Sequence, residues 1–549
     1  MEGEVRLLLY FDCYATLGQR PMKPRRARWS TEHLLEDMDL AEISGALAVH
    51  GVAVHYDVIY GNNRLRQELS KAPERLFGVW CVVPIGEPGF FKTGEEMIGA
   101  MAEADIRAVR IEPGGFSLHP EVMGETFEVL QAHGVLTLLP AGWGGADLFS
   151  VFHELLSRYP RLPVLLTGLS WAHQRHVYRL MQLHENLHIE FSAYQVNRGV
   201  EKYTADFGDE RLLFGTGMTE MSPGAARAYI DYAQIPEVSK RKVAGENLKR
   251  LLRGQGPEVA AQREGDPILI EAREGRPLSV PVIDAHAHVL HEGGQFAVSN
   301  QDARLMYDGD AEGMLEVNHW CGIDRIAMMS WNGPCCTDAQ DGNEIVRRAA
   351  QRFGGEVLGL ATIDPTHMTR EEMEAEVRLR HVEQGFVGMK PYHRMGLRYD
   401  DDAFTPWWEF GNAHGLYALI HTMPYTGGVA CVARLAERFP QVSWLIAHSG
   451  KSWAYAEEVA ACIREHPNVY AELTYTAVTN RVVEYLVEAT DEDHVIFGTD
   501  APMRDVRQQL GWVLWADLPV EARKKILAGN FQRVLDRVAL PGRPEEWTV

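Results

Sequence analysis

Histidine and aspartate residues in the second half of the chain stand at the ends of short apolar runs. The first such run ends in DAHAH, which contains His286 and His288, and later runs end in His421, His448 and Asp500. Side chains two residues apart on a β-strand point to the same side, so His286 and His288 can hold one metal ion together. Imidazole and carboxylate donors suit Zn(II), with Mn(II) or Fe(II) as alternatives. The pattern predicts one divalent metal centre.

A divalent ion in such a site has two chemical uses: it lowers the pKa of a bound water to about 7, and it polarises a carbonyl group. Each motif alone is weak evidence, because a histidine near a strand end more often has a structural role. Their conjunction is much stronger, since the four histidines and the aspartate follow the first, fifth, sixth and eighth runs of one unit.

The elements that must position these side chains form a repeating pattern of short apolar runs and longer amphipathic stretches. The runs are VPVIDAH, GIDRIAMMS, VLGLATIDP, GFVGMKP, LYALIH, VSWLIAH, NVYAEL and HVIFGTD. Continuous apolar runs suit strands buried on both faces, and the stretches between them suit helical crossovers. Eight such units predict a (β/α)8 barrel, in which reacting groups lie at the C-terminal ends of the strands.

The first half of the chain echoes the second at an offset of about 270 to 285 residues. HGVLTLLP (133–140) matches HGLYALIH (414–421), RYPRLPVLLTG (158–168) matches RFPQVSWLIAH (438–448), and LLFGTG (212–217) matches VIFGTD (495–500). A segment rich in Gly, Pro and charge, without helical periodicity, separates the copies. The sequence therefore predicts two tandem (β/α)8 TIM barrels of the α/β class, at residues 1–255 and 280–549, with a linker at 256–279.

The first copy lacks the donor set. Aligned on the echoes, the metal positions are occupied by Tyr14, Thr16, Pro140, Gly168 and Gly217. Proline and glycine have no side chain that coordinates a metal. We expect the first barrel to be a degenerate copy without a metal and without catalysis.

Composition excludes several other classes of protein. The 549 residues have 54 Lys and Arg against 76 Asp and Glu, a formal charge of -22 that repels a phosphate backbone. No apolar run approaches membrane-spanning length and the N-terminus lacks a secretory signal pattern, so we expect a cytoplasmic protein without nucleic-acid or membrane partners. Seven scattered cysteines without a CxxC pair indicate reduced thiols, and the Cys335–Cys336 pair has no neighbour that would activate it.

The motifs IDAHAHV, LIHTMP, LIAHSG and IFGTDAP resemble those of the metal-dependent TIM-barrel hydrolases of the amidohydrolase superfamily. The similarity is to the amidohydrolase-related group, which holds lactonases, small-acid hydrolases and decarboxylases of the aminocarboxymuconate-semialdehyde type, and it covers about residues 280 to 540. It implies His286, His288, His421 and Asp500 as metal ligands. It also implies His448 beside the metal as general acid/base, with Asp500 doubling as a proton acceptor.

Further residues on the same face of the predicted barrel are candidates for substrate binding. Lys390 ends the fourth run, where we expect it to bind a substrate carboxylate; the alternative is a carbamylated lysine that bridges two metals, as in other amidohydrolases. The remaining candidates lie on the loops after the second and fourth strands. They are Trp331, Asn332, His393 and Arg394.

Three functions remain open. The first is hydrolysis of a lactone, amide or related carbonyl bond of a small organic acid, and the second is non-oxidative decarboxylation of an aromatic or muconate-type acid at the same metal site. The decarboxylase type has a long insertion between the strand-5 and strand-6 histidines, whereas 26 residues lie between His421 and His448 here. We therefore expect a hydrolase acting on a small-molecule substrate. A non-catalytic scaffold is disfavoured by the intact donor set.

The resemblance also suggests a role for the first barrel. Enzymes of this group are often dimers, and the decarboxylase type completes its pocket with a side chain from the neighbouring subunit. The fused copy is then either an internal partner in a pseudo-dimer or a cover for apolar surface on the second barrel, and further homo-oligomerisation is compatible with both.

Overall fold

A computed structural model of the chain describes residues 8–113, 116–142, 145–294, 306–333 and 338–541. Cys335 and Cys336 lie outside the described residues. Contacts within the chain divide it into two compact units, with the division between Glu264 and Gly265, inside the predicted linker. Each unit is described by itself.

The N-terminal unit contains eight parallel strands that pair in sequence order. The strands are β1 Phe11–Leu17, β2 Gly45–His50, β3 Leu76–Cys81, β4 Ala108–Arg110, β5 Leu136–Pro140, β6 Val164–Thr167, β7 Leu187–Glu190 and β8 Leu212–Leu213. The helices between and after them are α1 Thr31–Leu40, α2 Gly51–His55, α3 Val58–Leu69, α4 Gly94–Glu103, α5 Pro120–Ala132, α6 Ala146–Arg158, α7 Gln174–Leu183, α8 Gly199–Phe207, α9 Pro223–Asp231, α10 Glu237–Arg241 and α11 Asn247–Leu251.

The sheet of the N-terminal unit curls back on itself. A parallel bridge joins Ala15 of β1 to Met218, which lies just beyond β8, and the backbone N–H of Cys13 donates to the carbonyl of Phe214 at 2.9 Å. The apolar core includes Leu47 on β2, together with residues of β1, β3, β4, β5, β6 and β8. Alternate residues of continuous apolar strands thus fill the interior of a packed barrel.

The C-terminal unit has the same architecture, with eight parallel strands in sequence order. The strands are β9 Ile283–Val289, β10 Arg325–Ser330, β11 Val357–Ala361, β12 Gly388–Met389, β13 Tyr417–Ile420, β14 Ser443–Ile446, β15 Val469–Leu473 and β16 Val495–Phe497. The helices are α12 Pro267–Arg273, α13 Ala311–Cys321, α14 Ala339–Phe353, α15 Arg370–Arg378, α16 Thr405–His414, α17 Gly428–Arg438, α18 Trp453–Glu465, α19 Val482–Ala489, α20 Val506–Leu514, α21 Val520–Lys524 and α22 Asn530–Asp536.

Local sequence explains how these helices begin and end. At α13, the side chain of Asp310 accepts a hydrogen bond from the backbone N–H of Gly313, and the helix stops at Gly322, whose φ of 77° places it in the left-handed region. The barrel closes through a parallel bridge between Ala287 of β9 and Ala501. The two predicted (β/α)8 barrels and the tandem duplication are confirmed.

The segment predicted as an irregular linker contains a helix, which corrects the sequence interpretation. Asp266 caps α12 by accepting from the backbone N–H of Leu269, and Pro267 occupies its first turn. Ile268 and Ala272 are buried. Seven residues are too few for periodicity to show in the sequence, so the cap and the buried face were missed. In the described part of the chain, no helix is both long and apolar enough to span a bilayer.

Candidate metal centre

The first strand of the C-terminal barrel places two imidazoles at its mouth. Asp284, two residues before His286 on β9, stabilises this strand: one carboxylate oxygen accepts from the backbone N–H groups of His286 at 2.9 Å and Thr499 at 3.1 Å, and the other accepts from the Thr499 hydroxyl at 2.5 Å. The aspartate thereby joins β9 to the turn after β16. This bracket holds His286, His288 and the nearby Asp500 in one corner of the barrel.

Three donors of the predicted set converge in that corner. Oδ1 of Asp500 lies 3.3 Å from Nε2 of His286 and 3.0 Å from Nε2 of His288. All three side chains are buried, and their donor atoms lie within 4.8 Å of one another. Two imidazoles and a carboxylate that converge in this way fit a divalent cation.

Glu472 adds a second carboxylate, which the sequence analysis missed. Its Oε1 lies 3.2 Å from Nδ1 of His286, and neither atom makes a hydrogen bond although both are buried. Glu472, His286 and His448 form a second group of convergent donors. A buried carboxylate oxygen or deprotonated ring nitrogen without a hydrogen bond favours a bound cation. Glu472 is the last polar residue of the run NVYAEL, and Glu190 occupies the matching position in the first copy. A glutamate shared by the two copies was therefore the available signal in the sequence.

Hydrogen bonds determine which nitrogen of His448 carries the proton. Nδ1 lies 2.5 Å from the Thr474 hydroxyl oxygen and 3.3 Å from the Thr474 carbonyl oxygen. A carbonyl oxygen only accepts, so Nδ1 must donate and Nε2 is left with a lone pair. The Thr474 hydroxyl in turn donates to Oε2 of Glu472 at 3.0 Å. The chain of bonds presents His448 as a proton acceptor at Nε2.

Two of these residues have unfavourable backbone conformations. His448 has a φ of 63° and Asp500 a φ of 57°, in the left-handed region that side chains other than glycine seldom occupy. Both lie directly after strands, where the chain turns sharply. Strain of this kind persists when surrounding contacts impose it, and it concentrates at functional sites.

His421 lies beside these groups without joining them. Its ring is 4.7 Å from the ring of His448 and 4.9 Å from the ring of His393. Among the described residues, its nitrogens belong to neither set of donors within 4.8 Å. Burial and then the charge of Lys390 lower the pKa of His421 well below its usual value. Its role as a metal ligand stays a prediction.

Lys390 is buried next to the histidines. It follows β12, and its Nζ lies 5.9 Å from the centre of the Tyr392 ring. After burial, its positive charge is the next cause that lowers the pKa of His286, and it also contributes to the lowered pKa of His448. A buried cation at this place can bind a substrate carboxylate.

The candidates after β10 have different surroundings. Trp331 is buried and packs edge-to-face on His288, with ring centres 5.0 Å apart. Asn332 instead donates through its amide to the Asp341 carboxylate at 2.6 Å, which ties the loop to α14. Trp331 therefore borders the corner that holds His286, His288 and Asp500, called the donor corner below. Asn332 has a structural partner instead.

The candidates after β12 also differ from each other. His393 is half-buried, and its Nδ1 lies 2.5 Å from the Tyr425 hydroxyl. Burial and the charges of Arg394 and Lys390 lower the pKa of His393 to about 4, so the imidazole is neutral at physiological pH. Arg394 is exposed, so its guanidinium faces solvent more than it faces the donor atoms of the candidate metal centre.

Arg504 is a second residue that the sequence analysis missed. Its guanidinium forms an ion pair with Asp500 and its Nε donates to the Thr476 hydroxyl at 2.7 Å. It also lies 5.1 Å from the centre of the Tyr475 ring. Arg504 therefore orients the Asp500 carboxylate. Its position four residues after Asp500, in DAPMR, was the available clue.

The equivalent corner of the N-terminal barrel has no such set. Tyr14 and Thr16 lie on β1, Pro140 ends β5, and Gly168 and Gly217 follow β6 and β8. Within the described ranges, convergent donors for a metal occur only in the C-terminal barrel.

Comparison with solved structures finds similar folds at low identity. An uncharacterised TIM-barrel protein from Bordetella bronchiseptica is 17% identical, with a TM-score of 0.38, over 47% of this chain and 99% of that chain. A 2,6-dihydroxybenzoate decarboxylase from Rhizobium is 15% identical, with a TM-score of 0.36, over 45% and 99%. A dihydroorotase from Campylobacter jejuni is 12% identical, with a TM-score of 0.35, over 46% and 85%.

No curated protein matches the chain. The model of the family described as amidohydrolase matches it twice, over residues 20–254 and 283–537, once in each barrel. Both copies retain the family's sequence pattern, including the copy that has lost the donor residues. The chain belongs to the amidohydrolase family.

Proposed function

We propose that the C-terminal barrel is a metal-dependent hydrolase acting on a lactone, amide or related carbonyl bond of a small organic acid. The observation that carries the proposal is the convergence of His286, His288 and Asp500 on one buried point. When bound there, a divalent ion, most simply Zn(II), would supply Lewis-acid activation of water and of the carbonyl. His421 is proposed as a further ligand.

His448 is proposed as the residue that moves the proton. Its Nδ1 is committed to Thr474, so Nε2 accepts a proton and later returns it to the leaving group. Burial, followed by the charges of His421 and His286, keeps its pKa well below the usual value, so the side chain begins as a neutral base. Arg504 holds Asp500, the proposed ligand and second proton acceptor, in its orientation.

Lys390 is proposed to bind the carboxylate of the substrate. It is completely buried, and its charge reaches the imidazoles of the donor corner. An ammonium group in this environment favours an anion beside it. Trp331 and Tyr392 contribute apolar surface at the same mouth, and His393 flanks His421. These contacts suit a compact organic acid.

The connection between the fifth and sixth strands favours hydrolysis over decarboxylation. It contains the short turn Pro424–Thr426 and one helix, α17, before β14 begins. Residues 421–443 are all described, and they contain no further helix or strand before β14.

The test is a substrate screen on the metal-loaded protein. Lactones, amides and aromatic carboxylates are incubated with the enzyme, and acid release and CO2 release are measured in parallel. Metal-dependent acid release that disappears in His288→Ala supports the proposal. CO2 release without acid release would replace hydrolysis with decarboxylation, and inactivity of the metal-loaded protein on every compound would count against both reactions.

A further inference from the structure

The mouths of both barrels contain a buried cation at the same strand position. Arg110 is the last residue of β4, and Lys390 directly follows β12. In the first barrel, Ala108 pairs with the first residue of β5, and Arg110 lies two residues after Ala108. In the second barrel, Gly388 pairs with the first residue of β13, and Lys390 lies two residues after Gly388. The first barrel has therefore lost every metal position but retains a positive charge at this one.

Among the described residues, the Arg110 guanidinium has one hydrogen-bond partner. Arg110 is 8% exposed, its Nε donates to the Glu112 carboxylate, and its guanidinium lies 5.8 Å from the centre of the Tyr14 ring. Its two terminal nitrogens form no hydrogen bond with any residue the structure describes. A planar guanidinium with two such nitrogens matches the two oxygens of a carboxylate.

A glycine next to Tyr14 leaves this part of the barrel mouth without a side chain. Gly168 occupies the position of His448, and a side-chain carbon added to it would lie 3.5 Å from the Tyr14 hydroxyl and 4.0 Å from the Gly142 nitrogen, without a clash. A single side-chain carbon thus fits next to Tyr14 at ordinary contact distance, at the position where the C-terminal barrel has the His448 imidazole. The buried hydroxyl of Thr167, the residue before Gly168, has no hydrogen-bond partner in the described structure. The hydroxyl of the partly exposed Tyr14 likewise bonds to no described residue.

Nearby carboxylates disfavour a dianion more than a monoanion. Glu112 forms an ion pair with Arg110, and Glu190, Glu220 and Glu112 are among the causes that raise the pKa of Tyr14, after burial. Their charges repel any anion, and a dianion such as phosphate about twice as strongly as a monoanion. Glu112 is one-third exposed, so it can leave Arg110 and regain its hydration when a ligand carboxylate arrives.

We propose that the N-terminal barrel binds a small organic monocarboxylate at Arg110, with Tyr14 and Thr167 as additional hydrogen-bond partners. The ligand is held without being converted, because the positions that would supply a metal are Tyr14, Thr16, Pro140, Gly168 and Gly217. The site is independent of the proposed reaction and gives the degenerate copy a function of its own.

Titration calorimetry on the full-length protein tests this site without using turnover. The C-terminal barrel is silenced with His286→Ala and Lys390→Met, and the probe is 4-bromobenzoate. We expect one binding event per chain that Arg110→Leu weakens by at least about tenfold, the loss of a bidentate charge-assisted contact. Arg110→Lys should retain part of the affinity. The matched control Arg66→Leu, which removes an exposed arginine of α3, should leave binding unchanged.

Anomalous diffraction from the bromine of the same probe identifies the barrel that holds it. A peak beside Arg110 supports the proposal, whereas a peak only in the C-terminal barrel overturns it. Absence of binding, unchanged affinity in Arg110→Leu, or phosphate binding as tightly as the benzoate would also overturn it. If Arg110→Leu does not fold, Tyr14→Phe provides the test, because it keeps the aromatic ring and removes only the hydroxyl. Tyr14→Phe should weaken binding a few-fold, and unchanged affinity in that variant would contradict the proposed binding site.

Discussion

In both barrels an aspartate on the first strand holds that strand against the turn after the eighth. Asp12 accepts from the backbone N–H of Thr216 at 3.0 Å and from its hydroxyl at 2.5 Å. Asp284 receives the same two bonds from Thr499, at 3.1 and 2.5 Å. The copy without metal donors thus keeps the bracket that, in the other copy, positions His286. The aspartate–threonine bonds therefore stabilise the fold in both copies, and in the C-terminal copy they also position a proposed metal ligand.

The retained bonds extend to other strands. Asn62 exchanges two hydrogen bonds with the backbone of Cys81 at 2.8 and 3.0 Å, and Asn343 does the same with Thr362 at 2.7 and 2.9 Å. A buried backbone group needs a partner whatever the barrel does chemically. Such polar residues persist in a degenerate copy because their loss would leave donors and acceptors unsatisfied.

The barrels differ where the backbone is strained. Gly168 has a φ of 63°, as does His448, and Gly217 has a φ of 72° against 57° for Asp500. The turns require a left-handed residue in both copies, and glycine adopts this conformation without steric conflict. The C-terminal barrel places a histidine and an aspartate there at a conformational cost, as expected if the two residues have the roles proposed above.

The largest expected effect is loss of the metal and of activity when a donor is removed. Each chain should bind one divalent ion, and His288→Ala should lose most of it while the barrel stays folded, because the core does not depend on its mouth. Elemental analysis and circular dichroism measure both. Thr16→Ala, the matched change in the first barrel, should leave the metal content unchanged. Full activity in His288→Ala would refute the assignment, and a second ion that Lys390→Ala removes would support a carbamylated lysine.

A smaller effect is expected for His448, the proposed proton-transfer residue. His448→Asn should retain the metal and reduce turnover by about 10²-fold, the usual contribution of a positioned acid/base. Thr474→Val, which removes the hydroxyl acceptor of Nδ1, should reduce turnover less. Loss of the ion together with the His448 side chain would instead identify His448 as a ligand.

Removal of the whole first barrel is expected to act through surface exposure. We propose that the two barrels form an internal pseudo-dimer, so a chain lacking residues 1–255 should aggregate or self-associate and lose several-fold in turnover. Light scattering and activity measurements on the truncated protein test this. A monomeric, fully active C-terminal barrel would show the first copy to be dispensable for catalysis.

Acid should destabilise both barrels, and one buried histidine outside the sites in each barrel can be used to test the effect. Burial lowers the pKa of His188 on β7 and of His381 in the C-terminal barrel to about 4. Between pH 6.5 and 4 these histidines are protonated in the unfolded chain and neutral in the folded chain. Their contribution to the free energy of unfolding is therefore complete above pH 6.5, and it falls on acidification by about 1.4 kcal/mol per pH unit for each histidine. Urea unfolding at pH 7 and pH 5 should show a smaller difference in His188→Gln, whereas the exposed His133→Gln should behave as wild type.

The smallest effect concerns the strained turns. Gly168→Ala introduces a side chain at φ 63° without a clash, so it should destabilise the protein by about 1 kcal/mol through conformation alone. Gly99→Ala, at an exposed position inside α4 with open space around it, should instead stabilise by about 0.5 to 1 kcal/mol. Thermal unfolding distinguishes the two, and equal melting temperatures would contradict this account of the turns.

Much of the fold was readable in the sequence. The eight apolar runs of the second copy became eight strands in the predicted order, and the first copy forms the matching eight, because strands buried on both faces need continuous apolar residues and crossover helices between them. The two-residue spacing of His286 and His288 placed both imidazoles with Asp500, and the echoes located the lost donors of the first copy.

Other features depend on contacts between distant segments. Glu472 and Arg504 reach the donor corner only because the barrel closes, and the amide of Asn332 donates a hydrogen bond to Asp341, nine residues later. His448 has a left-handed φ in the turn after the sixth strand. Its Nδ1 donates to Thr474, which lies after the seventh strand, so this bond exists only in the folded barrel. Periodicity along about ten residues determines which faces of a strand are buried. The distance between groups on different strands is determined only when the sheet curls and its first and last strands meet.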